Sequence, residues 1–165
     1  MMNVQQKPRL KHITIDDNYR FPYSVHICNA CFGKNYKAWF RATINISDKT
    51  DDAFPWFPKL AVIENGVEAA QDKVYGCINI LSEDGMTIYE SHSAADGQIE
   101  HKTRYVFAKP QGEAYRYVGN FVKDNEASTS VLSIYRRVST EIDLSEWADE
   151  PVEPDVPILY DQQSD

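Results

Sequence analysis

The chain has 165 residues, of which 42% are hydrophobic and 12% aromatic, which is enough for one folded domain with a hydrophobic core. Its apolar runs fall well short of the roughly 20 residues of a membrane span, and residues 1–8 lack the apolar region of a signal peptide. We therefore expect a cytoplasmic protein with no membrane partner. The net charge of −8 arises in residues 141–165, which hold nine carboxylates and no Lys or Arg, whereas residues 1–140 hold 16 acidic and 17 basic residues. The nearly neutral body of the chain is compatible with a nucleic-acid partner.

Four segments before residue 59 carry a secondary-structure signal. Residues 11–15 predict a short strand, and residues 23–28 allow either a second strand or the start of a short helix that continues to residue 35. Every second residue of 36–46 is apolar, a period-two pattern typical of a half-buried strand, and it places Phe40 and Ile44 in the core. Prolines on both sides of Trp56-Phe57 predict an extended segment there.

The rest of the chain predicts strands joined by turns. Asn65-Gly66 is typical of a type I′ hairpin turn, and Asp84-Gly85 is a second turn signal. The five residues 110–114 suit the loop of a longer hairpin. The predicted strands are residues 60–63, 74–81, 86–89, 103–109, 115–122 and 131–144.

About seven to nine short strands with regular turn signals predict a mainly β fold, a β-rich α+β domain. We expect a curved antiparallel sheet that closes into a small barrel or sandwich. The domain is expected to span residues 1–147. Residues 148–165 contain three prolines and no basic residue, which predicts an acidic, flexible tail in which Ile158-Leu159-Tyr160 is a candidate linear binding motif.

The most conspicuous local motif is the pair Cys28 and Cys31, which has the spacing of half a tetrahedral zinc site, with His26 nearby. No second pair of Cys or His follows at a suitable spacing, and three cysteines without an export signal indicate reduced thiols. The chain also lacks the Gly-x-Ser-x-Gly, His-Glu-x-x-His and phosphate-loop motifs. We therefore predict no metal, no cofactor and no catalytic residue, although folding can unite catalytic groups that are distant in sequence.

A candidate nucleic-acid surface lies on the polar side of residues 36–46. There Lys37, Trp39 and Arg41 place an aromatic ring between two cations, which suits stacking on a base and pairing with phosphates. The alternative is that Trp39 packs in a second core with the two cations beside it. Trp56 offers another stacking surface. Further candidate cations on the later strands are Arg104, Arg116 and Arg136.

Three stretches together resemble a known group of modules: residues 33–41, the pair 105–109 and 115–121, and residues 135–140. They are similar to small β-barrel modules of bacterial restriction endonucleases and to the PUA-like superfamily, which includes the SET-and-RING-associated and EVE readers of modified bases. The resemblance covers about residues 33–144. It implies a curved barrel that binds DNA and takes a modified base into an aromatic pocket. The residues that it implies are Trp39 and Tyr117 as pocket aromatics, and Arg41, Arg116 and Arg136 as backbone contacts.

Two functions follow as hypotheses. The first is a non-enzymatic reader of nucleic acid, with a modified base as the most specific ligand, in a restriction or defence setting. The second is a protein encoded by a phage or mobile element that inhibits a host defence nuclease, with the acidic tail in a basic groove of that partner.

Overall fold

The computed structural model describes residues 6–64, 67–69 and 77–164, and most of its regular structure is strand. The strands are β1 (His12–Thr14), β2 (Tyr19–Arg20), β3 (Ala53–Trp56), β4 (Val62–Glu64), β5 (Val67–Ala69), β6 (Cys77–Leu81), β7 (Thr87–His92), β8 (Thr103–Ala108), β9 (Arg116–Lys123), β10 (Leu132–Ser139), β11 (Glu141–Asp143) and β12 (Asp161–Gln162). The helices are α1 (Ser24–Cys31), α2 (Ser145–Ala148) and a 3-10 turn (Ile15–Asp17). None of the helices in the described ranges is long and apolar enough to cross a membrane.

Six strands form the central sheet in the order β3-β8-β9-β10-β7-β6, so the prediction of a mainly β fold is confirmed. β3 pairs in parallel with β8, and the other neighbours pair antiparallel. The predicted closure into a barrel is wrong, because within the described residues only an isolated bridge, Leu60–Asn79, joins the segment after β3 to β6. Pro55 and Pro58 give a physical reason, since proline lacks the amide hydrogen that a strand ladder requires.

The hairpin predictions agree with the structure where it can be compared. β8 and β9 pair antiparallel across the predicted loop, and β6 and β7 pair across the turn that contains Gly85. Gly85 has a φ of 75°, a conformation that favours glycine. The predicted Asn65-Gly66 turn lies outside the described residues, although β4 and β5 on either side of it pair antiparallel.

Two clusters of buried side chains occupy opposite faces of the central sheet. Along β8, Phe107 belongs to one cluster, whereas Val106 and Ala108 belong to the other. This alternation follows from the period of two along a strand. The first cluster also contains α1 and the C-terminal segment, and the second contains Trp56 and Tyr135. The two faces therefore have different covers, and among the described residues α1 and α2 pack on the first.

Residues 36–46 do not form the predicted strand. The side-chain oxygen of Asn29 in α1 accepts a hydrogen bond from the Tyr36 amide (3.0 Å), and its Nδ2 donates to the Tyr36 carbonyl (3.0 Å). The backbone at Tyr36 is therefore held by a helix. Among the described residues, strand-like contact here is limited to the isolated Thr43–Trp56 bridge and the hydrogen bond from the Phe57 amide to the Ala42 carbonyl (2.7 Å). Ile44 is buried as predicted, whereas Phe40 is 91% exposed, so the core position predicted for Phe40 is wrong.

Residues 24–31 form α1, which settles the open choice between strand and helix in that region. Cys28 and Cys31 both lie in α1, are buried and form no disulfide. Burial raises the pKa of both thiols, which disfavours the thiolate that a metal site or a redox centre uses. Within the described part of the chain, no group of three His, Cys, Asp or Glu side chains is placed to hold a metal ion.

The C-terminal segment is anchored on the domain through residues 156, 158 and 160, so the predicted flexibility is wrong for this part of the tail, whereas residues 151–155 and 161–164 are exposed. Val156 and Ile158 are fully buried, and Tyr160 is 8% exposed. The amide of Lys7 donates to the Ile158 carbonyl (2.8 Å), and β12 pairs with β2. The burial of every second residue from 156 to 160 is a strand-like pattern that the prolines of this segment obscure in the sequence.

Arg9 anchors the beginning of this C-terminal segment. Its side chain is buried and donates to the carbonyls of Glu150 (3.0 Å) and Pro151 (2.7 Å), and also to the carbonyl of Asn29 in α1 (2.5 Å). Burial lowers the pKa of Arg9, although the attraction of Glu150 opposes that change. One arginine therefore ties the acidic segment to α1, mostly through backbone carbonyls.

Candidate functional site

A cavity of about 570 Å³ opens beside the second buried cluster. It is lined by residues 23–25 and 37–42 on one side and by residues 56–59 on another. Side chains of β6 and β7 complete the wall. The cavity is thus built from segments that are far apart in sequence and meet only because of the strand order.

Two polar side chains face each other in the wall of this cavity. Asn79 on β6 is paired with Glu90 on β7, and both are largely buried. Asn79 Oδ1 has no hydrogen-bond partner in the described part of the chain. A buried carbonyl oxygen without a donor costs about 1–3 kcal/mol, so this atom is an energetically costly feature of a residue that lines the cavity.

The Glu90 carboxylate is held from behind by two other side chains. Its Oε1 lies 3.5 Å from the Tyr135 hydroxyl, which can donate to it, and 3.7 Å from His92 Nε2. His92 Nε2 in turn lies 2.9 Å from the Ser133 hydroxyl. These contacts fix the orientation of the carboxylate towards the cavity.

The side chains of Cys77, His92 and Glu90 are of the types found in a nucleophile, its base and an acid. Cys77 Sγ lies 3.5 Å from His92 Nδ1, and Cys77 lines the cavity. However, partial burial and the negative charges of Glu90 and Asp96 raise the pKa of the Cys77 thiol. A thiol with a raised pKa is a poor nucleophile, so this cluster supports a binding wall more than a catalytic centre.

Two tryptophans supply flat apolar surfaces in the same wall. Trp56 is almost fully buried in the second cluster. Trp39 is half-buried and stacks on Tyr36, with ring centroids 4.9 Å apart and an interplanar angle of 9°. Trp39 Nε1 is a second buried polar atom without a partner among the described residues. The cavity is therefore lined by two tryptophans and by residues that carry buried polar atoms without a partner.

The rim of the cavity is cationic and carries exposed rings. Phe40 is 91% and Tyr23 is 70% exposed, although both rings are large and apolar. The rim cations are Lys37, Arg41, Lys59 and Lys109. Their positive charges favour an anionic ligand at the mouth of the cavity, despite the negative net charge of the whole chain.

Four of the predicted site residues meet at this cavity, namely Lys37, Trp39, Arg41 and Trp56. The other four lie elsewhere. Arg116 and Tyr117 line a separate cleft of about 450 Å³ that also contains Arg20 and Arg137. Arg136 is exposed and pairs with Asp124 (3.3 Å), and Arg104 lies behind Trp56.

Tyr117 is buried in the first cluster, and its hydroxyl donates to Asn120 Oδ1 (2.7 Å). Burial raises the pKa of Tyr117. The ring therefore belongs to the wall of the second cleft and is separate from the cavity that Trp39 and Trp56 line.

Sequence reasoning did not identify Asn79 and Glu90. A usable signal exists for Glu90, which lies two residues after Ile88 and therefore points to the same face of β7 as this fully buried side chain. A carboxylate at a core position of a strand is unusual and indicates a functional site. Asn79 offers a weaker form of the same signal in the apolar strand β6.

The fold is a mainly β domain with a candidate ligand cavity among the described residues. The chain belongs to the SET and RING associated (SRA) domain family, whose model matches residues 7–144, and this confirms the resemblance described above. Among solved structures, the chain is similar to the 5-hydroxymethylcytosine-specific restriction enzyme AbaSI, with 24% sequence identity and a TM-score of 0.60. The match covers 81% of this chain and 42% of that enzyme, so the chain spans less than half of the enzyme's length and the likeness shows the fold alone. No curated protein matches the sequence significantly.

Proposed function

We propose that this domain binds DNA and holds one modified base, turned out of the duplex, in the cavity lined by Trp39, Trp56, Asn79 and Glu90. The observation that carries the proposal is the unbonded Asn79 Oδ1 opposite the Glu90 carboxylate in an aromatic-walled cavity. Membership of the SRA family and the likeness to a modification-specific restriction enzyme support a role in a restriction setting. A base inside a duplex cannot reach such a cavity without leaving the stack.

The polar pair favours a base with an exocyclic amino group. The two hydrogens of an amino group can satisfy Asn79 Oδ1 and the Glu90 carboxylate at once, since directly opposed side chains in a sheet lie about 5 Å apart at Cβ. Carboxylates accept hydrogen bonds from the cytosine amino group. Thymine would place a carbonyl oxygen against two acceptors. We therefore propose cytosine derivatives as the ligand class.

The size of the cavity supports a base with a substituent. A volume of about 570 Å³ lies in the range of pockets that hold drug-sized ligands, and it exceeds what a single pyrimidine ring fills. The flat faces of Trp39 and Trp56 suit stacking on the ring. The remaining space suits a group attached to that ring.

The rim supplies contacts to the rest of the duplex. Lys37, Arg41 and Lys59 are exposed cations at the mouth of the cavity and suit DNA phosphates. Phe40 is the most exposed apolar side chain of the rim, and we propose that it enters the base stack at the step that the turned-out base leaves. The competing hypothesis of a nuclease inhibitor depended on a free acidic tail, and those residues are docked on the domain.

The test compares three duplexes that differ at one position, which is 5-hydroxymethylcytosine, cytosine or thymine. Wild type is expected to prefer the modified duplex. Glu90→Gln should weaken binding of the modified duplex by roughly 5- to 150-fold, because one acceptor for the amino group becomes an amide. The control Glu126→Gln makes the same change of charge at an exposed site and should leave the affinities unaltered. Equal affinity of wild type for all three duplexes would refute the proposal.

A further inference from the structure

Arg104 occupies an unusual position behind the wall of the cavity. It lies on β8 next to β3, and its guanidinium carbon is 4.6 Å from the ring centroid of Trp56 and 4.5 Å from that of Tyr135. The ring of Phe54 lies 5.0 Å away on the neighbouring strand. A cation surrounded by three aromatic rings is held by their negative faces as well as by dispersion.

A carboxylate holds the guanidinium in this aromatic cage. Glu100 accepts two hydrogen bonds of 2.8 Å, one from Nε and one from Nη2 of Arg104. The side chains of the pair are only 15% and 21% exposed. Burial disfavours the charged form, but the hydrogen bond and the attraction of Glu100 outweigh it, so the pKa of Arg104 is raised. Arg104 therefore remains a cation, and its planar fork has one fixed orientation.

The cage connects this cation to both parts of the base-binding wall. Trp56, an aromatic wall of the cavity, contacts Tyr135 with ring centroids 5.2 Å apart. The hydroxyl of Tyr135 points to Glu90 Oε1 at 3.5 Å. The Arg104 guanidinium thus packs on Trp56, which would stack on the base. It also packs on Tyr135, whose hydroxyl contacts the Glu90 carboxylate that would read the base.

We propose that Arg104 is a positioning residue that sets the selectivity of the cavity by fixing Trp56 and, through Tyr135, the Glu90 carboxylate. This inference rests on the proposed function. Arg104 does this without touching DNA, since its hydrogen bonds go to Glu100 and its faces to the three rings. The sequence-based expectation, in which Arg104 is a candidate nucleic-acid-binding cation, would first require this buried pair to separate.

The experiment uses Arg104→Met and, as a milder change, Arg104→Lys, which keeps the charge but loses the planar fork. Each variant is titrated with a duplex containing one 5-hydroxymethylcytosine and with the same duplex containing cytosine, over a range of salt concentrations. Arg104→Met should reduce the preference for the modified duplex by roughly 5- to 30-fold, and Arg104→Lys should recover part of it. The salt dependence should stay as in wild type, because no phosphate contact is removed.

Two results would overturn the inference. One is an equal loss of affinity for both duplexes with a salt slope lower by about 0.9, which is the signature of a lost phosphate contact. The other is an unchanged preference in both variants. Arg136→Met is the matched comparison, because an exposed arginine affects both duplexes equally whether or not it contacts DNA.

A second readout separates this inference from the proposed function. The indole Nε1–H signal of Trp56, assigned with a Trp56→Phe variant, is followed by NMR in the DNA-free protein. Loss of the neighbouring cation should shift and broaden this signal in Arg104→Met, whereas the signal of Trp147 should stay in place. If wild type does not discriminate between the duplexes, the proposed function fails, and an unmoved Trp56 signal then overturns the positioning role as well.

Discussion

Replacing Phe40 by Ala should weaken DNA binding and leave the stability of the domain unchanged. The phenyl ring is 91% exposed, so its removal leaves no cavity and forgoes almost no buried area. Surface substitutions of this kind change the free energy of unfolding by about 0.5 kcal/mol or less. By comparison, Phe107→Ala in the fully buried cluster should cost about 3–5 kcal/mol.

The magnitude of the binding effect follows from what the ring does in the proposed complex. A base that leaves the stack opens a gap, and an aromatic side chain that fills it regains stacking worth about 1–3 kcal/mol per base. Phe40→Ala should therefore weaken binding of a duplex with one modified cytosine by roughly 5- to 150-fold. The neighbours Lys37 and Arg41 remain in place, so the salt dependence of binding should not change.

Fluorescence anisotropy with a labelled duplex measures the affinity, and urea unfolding measures the stability of the same samples. Ile99→Ala is the matched control, because Ile99 is 71% exposed and does not line the cavity. This control should alter neither quantity. The proposed role of Phe40 in DNA binding is refuted if Phe40→Ala binds as tightly as wild type. The exposed position of Phe40 is refuted if Phe40→Ala unfolds as readily as Phe107→Ala.

Two further predictions concern the C-terminal segment. Ile158→Ala should lower the free energy of unfolding by about 2–5 kcal/mol, because Ile158 is fully buried. The control Val152→Ala, at a 41% exposed site, should change it little. Equal urea midpoints for the two variants would contradict the docking of the segment. His26 Nδ1 accepts a hydrogen bond from the Leu159 amide (3.0 Å), and burial lowers the pKa of His26, so the folded state favours the neutral ring. The unfolded state then binds more protons below its pKa of about 6.5, and stability should fall as the pH drops from there through the lowered pKa. The protection factor of the Leu159 amide, which corrects for the slower intrinsic exchange at lower pH, should fall over this window in wild type and not in His26→Gln, and identical pH profiles of protection would contradict the role of His26.

The sequence pattern was sufficient to predict a strand where the strand and its pairing partner are neighbours in the chain. The strands around the 110–114 loop and around Gly85 were predicted because each hairpin brings its own partner and its own turn residues. Residues 36–46 have an equally regular pattern and still fail as a strand. Their backbone partners are the Asn29 side chain of α1 at Tyr36 and the Trp56-Phe57 backbone at Ala42 and Thr43, and no property of residues 36–46 reports on these contacts.

The C-terminal segment is the converse case, because its sequence predicted flexibility and the structure shows it in contact with the domain. Its prolines, its acidity and its lack of basic residues are typical of a flexible tail. Burial of Val156 and Ile158 depends on the surface that α1 and the N-terminal residues present, and Arg9 supplies donors for the carbonyls of the segment. Composition describes what a segment can do alone, whereas docking depends on a partner surface elsewhere in the chain.

Some features of the candidate site could likewise be predicted from the sequence, whereas others depend on the tertiary structure. Trp39 and Trp56, with the cations beside Trp39, could be selected by residue type, and the family could be identified from the resemblance of three stretches of the sequence. The facing of Asn79 and Glu90 depends on the register of β6 against β7, and the cage around Arg104 depends on the parallel pairing of β3 with β8. Periodicity, turns and charge distribution are properties of neighbouring residues and can be seen in the sequence. Which polar atoms are buried, unpaired and brought next to each other depends on contacts between distant segments, and only the folded chain decides these.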